Sequence, residues 1–422
     1  MSSNKLDAII VGAGPSGSMT GYYLAKAGVR VAIFDKMKFP REKACGGGLQ
    51  VKAAKRIPFD LTPILRGALQ GITFSFRFDD RYSKKYHLPL VYSVLRIELD
   101  NLLLESAKES GAKVYDRANV ISVESLKPDL VSVHTDVGDF LCNVLVGADG
   151  ANSVTRKSVN PLNDYFWQVG LYGEIPEEYL NKDVIDYEQM RVDWGTLPSG
   201  YGWIFPKKGY CNIGVGCPAI IGNRLRSYLK EFIQNENVLK NRAFEKLRFS
   251  GHKLPTFTNT TKLHRQSIVL VGDAAGLVEP LTGDGISYAL HSAELAVDSI
   301  LRNLNNGKFD FKEYEIGVKN EIVTELNYSR KLMSLFIAFP RLAHEVLKNN
   351  ERVWESFCKV LRGEESYSVF RQMGFGLSRF IWYPLSKFIS FYEPRRLLAN
   401  TSKETTFLRS FRKLLIPLLK RI

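Results

Sequence analysis

Four short apolar runs punctuate the chain, at residues 8–11, 29–34, 140–146 and 268–271. None alternates with polar positions, which is the pattern of strands buried on both faces of a parallel sheet. The first run passes straight into a glycine turn, residues 14–27 then carry helical spacing up to Gly28, and the second run stops at Asp35. Strand, turn, helix and strand make a complete βαβ unit. Helical spacing returns at residues 94–111, at 286–304 and through most of the chain beyond Phe311, while short strands are expected at 113–115 and 118–123 and a hairpin over 130–141. Between about residues 160 and 254 the period changes to short aromatic-rich strands separated by turn residues. There the alternation puts Tyr201, Trp203 and Phe205 on one face, beside a neighbouring strand at 211–216. The pattern predicts an α/β protein with a Rossmann-like domain, an antiparallel-sheet domain and a helical C-terminal region.

The turn Gly12-Ala13-Gly14-Pro15-Ser16-Gly17 carries the chemistry of the first unit. Gly12 makes the tight turn, Gly14 lets the backbone approach a diphosphate, and Gly17 lets helix and strand pack closely. The unpaired amides and dipole of the helix N-terminus stabilise a diphosphate there without a lysine. Asp35, about twenty positions on, accepts hydrogen bonds from a ribose diol and repels a 2′-phosphate. These residues specify a dinucleotide and leave NAD and FAD both open.

Lys36 opens a basic loop that closes on Lys43-Ala44-Cys45-Gly46-Gly47-Gly48. Ordering three consecutive glycines is entropically costly, so the run suggests backbone lying against a flat ligand; a flexible loop with a stray thiol is the alternative. Arg96, at a helix start, suits a phosphate or ribitol group, or else pairs with an acid. Two further apolar runs end in turns of the same kind. One is Gly147-Ala148-Asp149-Gly150, followed by Ser153 and Arg156; the other is Gly272-Asp273-Ala274, followed by Pro280, Gly283, Asp284, Gly285 and Ile286 at a helix start. The Tyr201, Trp203 and Phe205 stripe is either core or the wall of an apolar cavity.

Length and charge narrow the setting. At 422 residues and 47.8 kDa the chain has room for two lobes with large cores. Its five cysteines form no C-x-x-C pair and are odd in number, which argues against a disulfide framework or a metal site. The first residues lack a signal pattern and no apolar run reaches about 18 residues, so the protein is expected in the cytoplasm. A net charge of +14 points to an anionic surface as partner. From Arg371 onward eleven lysines and arginines face only Glu393 and Glu404. Residues 407–422 mix bulky apolar and basic residues at helical spacing, kinked or ended by Pro417. That fits a peripheral contact with anionic lipid, or a packing helix with a solvated basic face. The apolar bulk argues against nucleic acid.

The Gly12 unit, the Asp149 turn and the Gly272-Asp273 turn with Pro280, Gly283 and Gly285 together resemble the flavin-dependent enzymes of the para-hydroxybenzoate hydroxylase fold, over about the first 300 residues. Within that superfamily, Lys43-Ala44-Cys45-Gly46-Gly47 and Tyr201-Gly202-Trp203-Ile204-Phe205-Pro206, followed by Asn212-Ile213-Gly214-Val215-Gly216, are similar to the geranylgeranyl reductase family. Members of that family bind FAD and saturate prenyl double bonds of archaeal lipids, chlorophyll precursors or isoprenoid quinones. The resemblance implies that Ser16 and Asp35 hold the AMP half, with Val120 meeting adenine through its backbone, and that Gly12, Gly14, Pro15, Gly17 and Lys36 are further cofactor contacts. Ala44, Cys45, Gly46 and Gly47 are then expected at the flavin and Arg96 at the phosphates. Asp149, Gly272, Asp273, Gly283, Gly285 and Ile286 complete the FAD contacts, and Tyr201, Trp203 and Phe205 wall the substrate cavity. Asp35 departs from the glutamate common in FAD enzymes, though its shorter arm still reaches a diol. Beyond about Phe311 the match is loose.

The implied organisation is an FAD-binding domain from residues 1–75, 94–160 and 262–305, an antiparallel-sheet substrate domain from 76–93 and 161–261, and a helical, basic C-terminal region from 306–422. Alkene reduction needs a hydride from flavin on one carbon and a proton on the other, in a dry site. No histidine or glutamate stands in a motif position as proton donor, which leaves Cys45, the reduced flavin or water. Gly374-Phe375-Gly376 lacks a buried strand before it and an acid after it. Electrons are therefore expected from NAD(P)H or a ferredoxin-like protein. The competing readings are a flavin monooxygenase of the same fold and a non-redox FAD protein such as a cyclase.

Overall fold

The computed structural model describes residues 5–161, 165–240, 243–258 and 261–370; the basic segment from Arg371, including Gly374-Phe375-Gly376, lies outside the described residues. The four apolar runs form the centre of one sheet. Lys5–Val11 lies between Val31–Phe34 and Gly138–Gly147 and parallel to both, and Ile268–Leu270 joins the far side of Gly138–Gly147, again parallel. Ile9, Ile10, Ile33, Val144, Leu145 and Val269 are wholly buried. Each such side chain contributes about 1.5–3 kcal/mol by leaving water. Helices Pro15–Lys26, Arg96–Glu109 and Ile286–Asn306 pack side by side against this sheet.

The expected hairpin forms, and its second arm and the third apolar run prove to be one strand. Gly138–Gly147 pairs antiparallel with Leu130–Thr135 through its first half and parallel with Lys5–Val11 through its second. Its burial follows the change of partner, exposed at Gly138 and Asp139 and buried from Val144 onward. Polar residues at one end and an unbroken apolar run at the other made a single strand read as two elements.

The second sheet has seven strands, in the order Ser250–Thr256, Phe166–Pro176, Tyr210–Pro218, Tyr201–Lys207, Gln189–Trp194, Gly71–Phe76 and Asp79–Lys85. Every pair is antiparallel except Gln189–Trp194 with Gly71–Phe76, so the sheet is mixed rather than antiparallel throughout. Gly71–Phe76 belongs to this sheet, so the chain enters the second lobe before the expected boundary at residue 76. The cause is packing: Ile72 and Phe74 join a buried cluster with Met190, Trp354, Cys358 and Leu361, well away from the first lobe's core.

Each face of the second sheet has its own cover. Helix Leu225–Glu236 packs Leu229, Phe232 and Ile233 against Ile204, Ile213 and Val215 on one face. The C-terminal helices Thr324–Ala338, Pro340–Asn349 and Glu351–Arg362 lie over the Phe74 end of the other. Asp80, at the start of the Asp79–Lys85 strand, ties that cover down through Arg341 and Lys348, each at 2.6 Å, while His344 Nε2 donates to the Asp80 carbonyl at 3.0 Å. Burial lowers the His344 pKa, against the Asp80 carbonyl bond and the Asp80 carboxylate, which raise it. No helix among the described residues is long and apolar enough to cross a membrane.

Arg156, almost fully buried, clamps the two strand-end turns of the first lobe. Its guanidinium donates to the carbonyls of Ala274 at 2.8 Å, Asp273 at 2.7 Å and Gly150 at 3.1 Å. Arg156→Met keeps the apolar stem and strands three carbonyls. The expected loss is on the order of 3 kcal/mol, read as a lower urea midpoint by tryptophan fluorescence; an unchanged midpoint would contradict the clamp.

Candidate functional site

The first helix starts at Pro15 with Gly14 as an N-cap that offers no side-chain bond, and its first turn holds no acid. A Cβ added to Gly17 would lie 1.9 Å from the Gly12 carbonyl oxygen, whereas one on Gly14 would meet only Arg41 Nη2, at 3.8 Å. Gly17 is therefore a packing requirement, and Gly14 faces open room beside a guanidinium. Arg41 Nη1 is buried without a hydrogen-bond partner, 3.2 Å from Asp100. An orphaned guanidinium donor beside uncapped helix amides fits a diphosphate. Arg41 carries no motif of its own, and only the basic character of its loop hinted at it.

Asp35 sits at the end of the second strand as the βαβ reading requires. Its Oδ2 accepts from Ala13 N and its Oδ1 from Met37 N, both at 2.8 Å. These bonds aim the carboxylate and leave lone pairs for a diol. Ser16 is buried against the Gly272 turn, Lys36 is exposed, and Val120 is buried at the head of its strand. Asp149 has a different occupation from the one expected. Its two oxygens take Ser153 Oγ, Thr155 Oγ1, Val154 N and Thr155 N at 2.6–3.1 Å, so the side chain staples its own turn and only the backbone there is free for a cofactor.

Between the lobes' glycine turns lies a buried set of charges. Arg96 forms a two-pronged pair with Asp100, 2.8 Å on each arm, and Arg41 shares that carboxylate. Both readings of Arg96 thus have a part: it is paired, yet it stands inside the site. Lys43 Nζ approaches His252 Nε2 at 3.2 Å, and that nitrogen lies 3.9 Å from Asp273 Oδ2. Burial would raise the Asp273 carboxyl, but His252, Lys43 and Arg96 more than offset it and hold it below its ordinary value. Burial lowers Lys43, against Asp273 and with the help of Arg96 and Arg41. For Arg96 burial is outweighed by Asp100 and then Cys45, and its pKa rises. Arg41, Lys43 and Arg96 against Asp100 and Asp273 leave a positive interior, the sign an anionic cofactor needs. Cys45 lies beside this set, its Sγ 3.3 Å from Gly47 N.

The stripe lies on one face, directed at the glycine turns. Trp203 stretches over a floor of glycines: a Cβ on Gly214 would come 2.2 Å from its Cζ2, and its outer ring reaches over Gly216 and Gly170. Its Nε1 donates to Asn212 Oδ1 at 2.7 Å, fixing the ring in its plane. Phe205 meets Gly46, and Tyr201 meets Gly283. The aromatic surface continues through Trp194 and Phe74, 5.1 Å apart, to Phe336 of the C-terminal helices.

Three side chains from this face seat it on the cofactor turns. Gln168 Nε2 donates to the Pro280 carbonyl at 2.8 Å, Tyr201 Oη to Thr282 at 2.6 Å, and Asn212 Nδ2 to Cys45 at 3.0 Å. Tyr201, expected only as wall, is therefore also a tie. Asn212 Nδ2 also reaches Glu174 Oε1 at 2.9 Å, where the fully buried Lys207 donates at 2.5 Å. Gln168, Glu174 and His252 had no role in the sequence reading, and Asn212 stood there only as part of a motif, because their partners are backbone atoms or side chains brought near only by folding.

Family models match both lobes. Residues 5–54 match an FAD binding domain and residues 175–249 the geranylgeranyl reductase catalytic domain. A protein of Methanosarcina barkeri described as uncharacterized is 31% identical, covering 87% of this chain and 94% of its own. Digeranylgeranylglycerophospholipid reductase 2 of Methanothermobacter thermautotrophicus is 27% identical over 78% of this chain and 88% of its own. A geranylgeranyl bacteriochlorophyll reductase-like protein of Thermoplasma acidophilum superposes with a TM-score of 0.66 at 20% identity, over 78% of this chain and 88% of its own.

The contrast between two glycines gives a test. Gly14→Ala is expected to fold with a near-native melting temperature yet lose FAD affinity by at least about tenfold, some 1.4 kcal/mol. Gly17→Ala is expected to unfold the first unit outright. Flavin fluorescence titration and thermal melting check both, and equal behaviour of the two variants would refute the assignment of Gly14 to the diphosphate.

Proposed function

Because the chain belongs to the geranylgeranyl reductase family and is an FAD-dependent oxidoreductase, we propose that it saturates double bonds in the prenyl chain of an isoprenoid lipid. The observation that carries this reading is the aromatic face: Trp203 flat over its glycine floor, with Phe205 and Tyr201 on either side, meeting the Cys45 and Gly283 turns. A ligand lying there would find ring faces and glycine backbone, with the polar atoms of Asn212 and Tyr201 already engaged. A prenyl chain suits such a surface, since each CH₂ withdrawn from water is worth about 0.8 kcal/mol. FAD, when bound and reduced, supplies the hydride equivalent for one alkene carbon. The chain's own part is to orient the alkene on Trp203, keep water away, and hold positive charge at Arg41, Lys43 and Arg96 around the cofactor. The residues assigned to FAD are Gly12, Gly14, Ser16, Asp35, Arg41, Lys43, the Cys45–Gly47 turn, Arg96, Asp273 and Gly285.

The relative named a digeranylgeranylglycerophospholipid reductase supports the substrate class. An external two-electron donor, a nicotinamide or a ferredoxin-like protein, supplies the reductant in this reading. The decisive assay is anaerobic. Dithionite-reduced protein mixed with a digeranylgeranyl glycerophospholipid, geranylgeranyl diphosphate or menaquinone should add hydrogen in pairs, read as 2 Da steps by mass spectrometry. Oxygen-dependent product without anaerobic reduction would turn the assignment to a monooxygenase.

The basic end of the chain is assigned to the membrane surface from which such a lipid comes. Truncation before Phe407 should leave FAD content intact and reduce co-sedimentation with phosphatidylglycerol vesicles, most strongly at low salt. Equal sedimentation of both forms would remove the membrane contact.

A further inference from the structure

We propose that Tyr172 donates the proton that completes alkene saturation, with Glu174 returning a proton to it from solvent. The inference rests on the prenyl-reductase reading. Strand register sets Tyr172 opposite Gly214, and Gly214 opposite Trp203, so the phenol and the indole flank one glycine on the same sheet face. Tyr172 is almost fully buried, and a Cβ at Gly214 would meet Trp203 and the Tyr172 Cβ together. Among the described residues its O–H has no hydrogen-bond acceptor. Asn212 ties the Trp203 ring to the Cys45 carbonyl, so Tyr172 presents its proton beside the Trp203 surface at the flavin turn.

The surroundings suit both halves of the transfer. Burial raises the Tyr172 pKa, with Cys45 and Glu174 adding to the rise, so the proton stays in place across neutral pH. The phenolate left after transfer would face the Cys45 N–H and the positive Arg96, both of which favour it. Glu174 stands two residues on, on the same face. Its Oε1 is taken by Lys207 and Asn212, its Oε2 is buried without a partner, and about a third of the side chain is exposed (32%). It therefore bridges solvent and interior.

The step balances. The C=C π bond is replaced by two C–H bonds, one from the hydride equivalent and one from Tyr172, whose O–H breaks. The phenolate then takes a proton from solvent by way of Glu174, and an external two-electron reductant restores the cofactor. Cys45 is the rival donor, and its Sγ already accepts from Gly47 N at 3.3 Å.

Tyr172→Phe removes one oxygen and keeps the ring. The test uses FAD-loaded, dithionite-reduced protein with the three prenyl probes named above, and follows flavin reoxidation at 450 nm without oxygen. Relative to wild type, Y172F should slow reoxidation at least about 100-fold. Its FAD content, melting temperature and probe Kd, measured by flavin fluorescence, should stay unchanged. E174Q should slow repeated turnover and spare the first. Y172F reoxidising within about threefold of wild type would overturn the donor role, as would C45S, and not Y172F, abolishing it. Loss of FAD or of probe affinity in Y172F would make Tyr172 a positioning residue and likewise overturn it. If wild-type protein reduces none of the probes, the prenyl reading itself falls, and the assignment of Tyr172 with it.

Discussion

The seating of the aromatic sheet on two glycine turns is the constraint on which the site depends. It rests on three uncharged side chains, Gln168, Tyr201 and Asn212, each donating to a backbone carbonyl. Such bonds add only about 1 kcal/mol apiece when made, but leaving a buried partner unpaired costs about 1–3 kcal/mol. The penalty for slippage is therefore larger than the gain from formation, which favours one register over its neighbours. Asn212 extends the same logic sideways: one amide orients Trp203, holds the Cys45 carbonyl and meets Glu174. The substrate face and the flavin turn are thus one rigid unit, although they belong to different lobes.

Charge beside that face is paired. Arg41, Lys43, Arg96, Asp100, His252 and Asp273 gather on the cofactor side, and Lys207, on the same sheet face as Trp203, is held by Glu174. The pairing matters because an unpaired charge on the aromatic surface would hold water against it, and a hydride equivalent is useful only in a dry site. The Asp80 cluster holds the outer cover without intruding, since its cations reach round the edge of the sheet to Phe76 and Tyr82.

Much of this was legible in the sequence because the first lobe is built from local signals. The runs at Ala8 and Ile268 are too apolar for anything but buried strands, and Gly12 to Gly17 must be a turn into a helix. The face shared by Tyr201, Trp203 and Phe205 also follows from alternation alone. Arg41, Gln168 and His252 were not legible, because their partners lie far away in the chain: Arg41 to Asp100, Gln168 to Pro280, His252 to Lys43. The local bonds of Asp149 were hidden for the opposite reason. It stands in a motif that points to a cofactor, yet four donors within the next six residues satisfy it first.

The glycine floor ties these observations together. Gly214 and Gly216 read in sequence as a flavin-enzyme signature, but their neighbour in space is Trp203, which could not lie flat over any side chain at Gly214. A flat indole leaves the room above the sheet to a ligand, whereas an upright one would fill it. The same bare position lets Tyr172 stand beside Trp203 with only a glycine between them. The small residues in the motif therefore act less by flexing than by absence: they set the height of the surface on which a long apolar chain can rest against the flavin turn, with a phenol within reach of it.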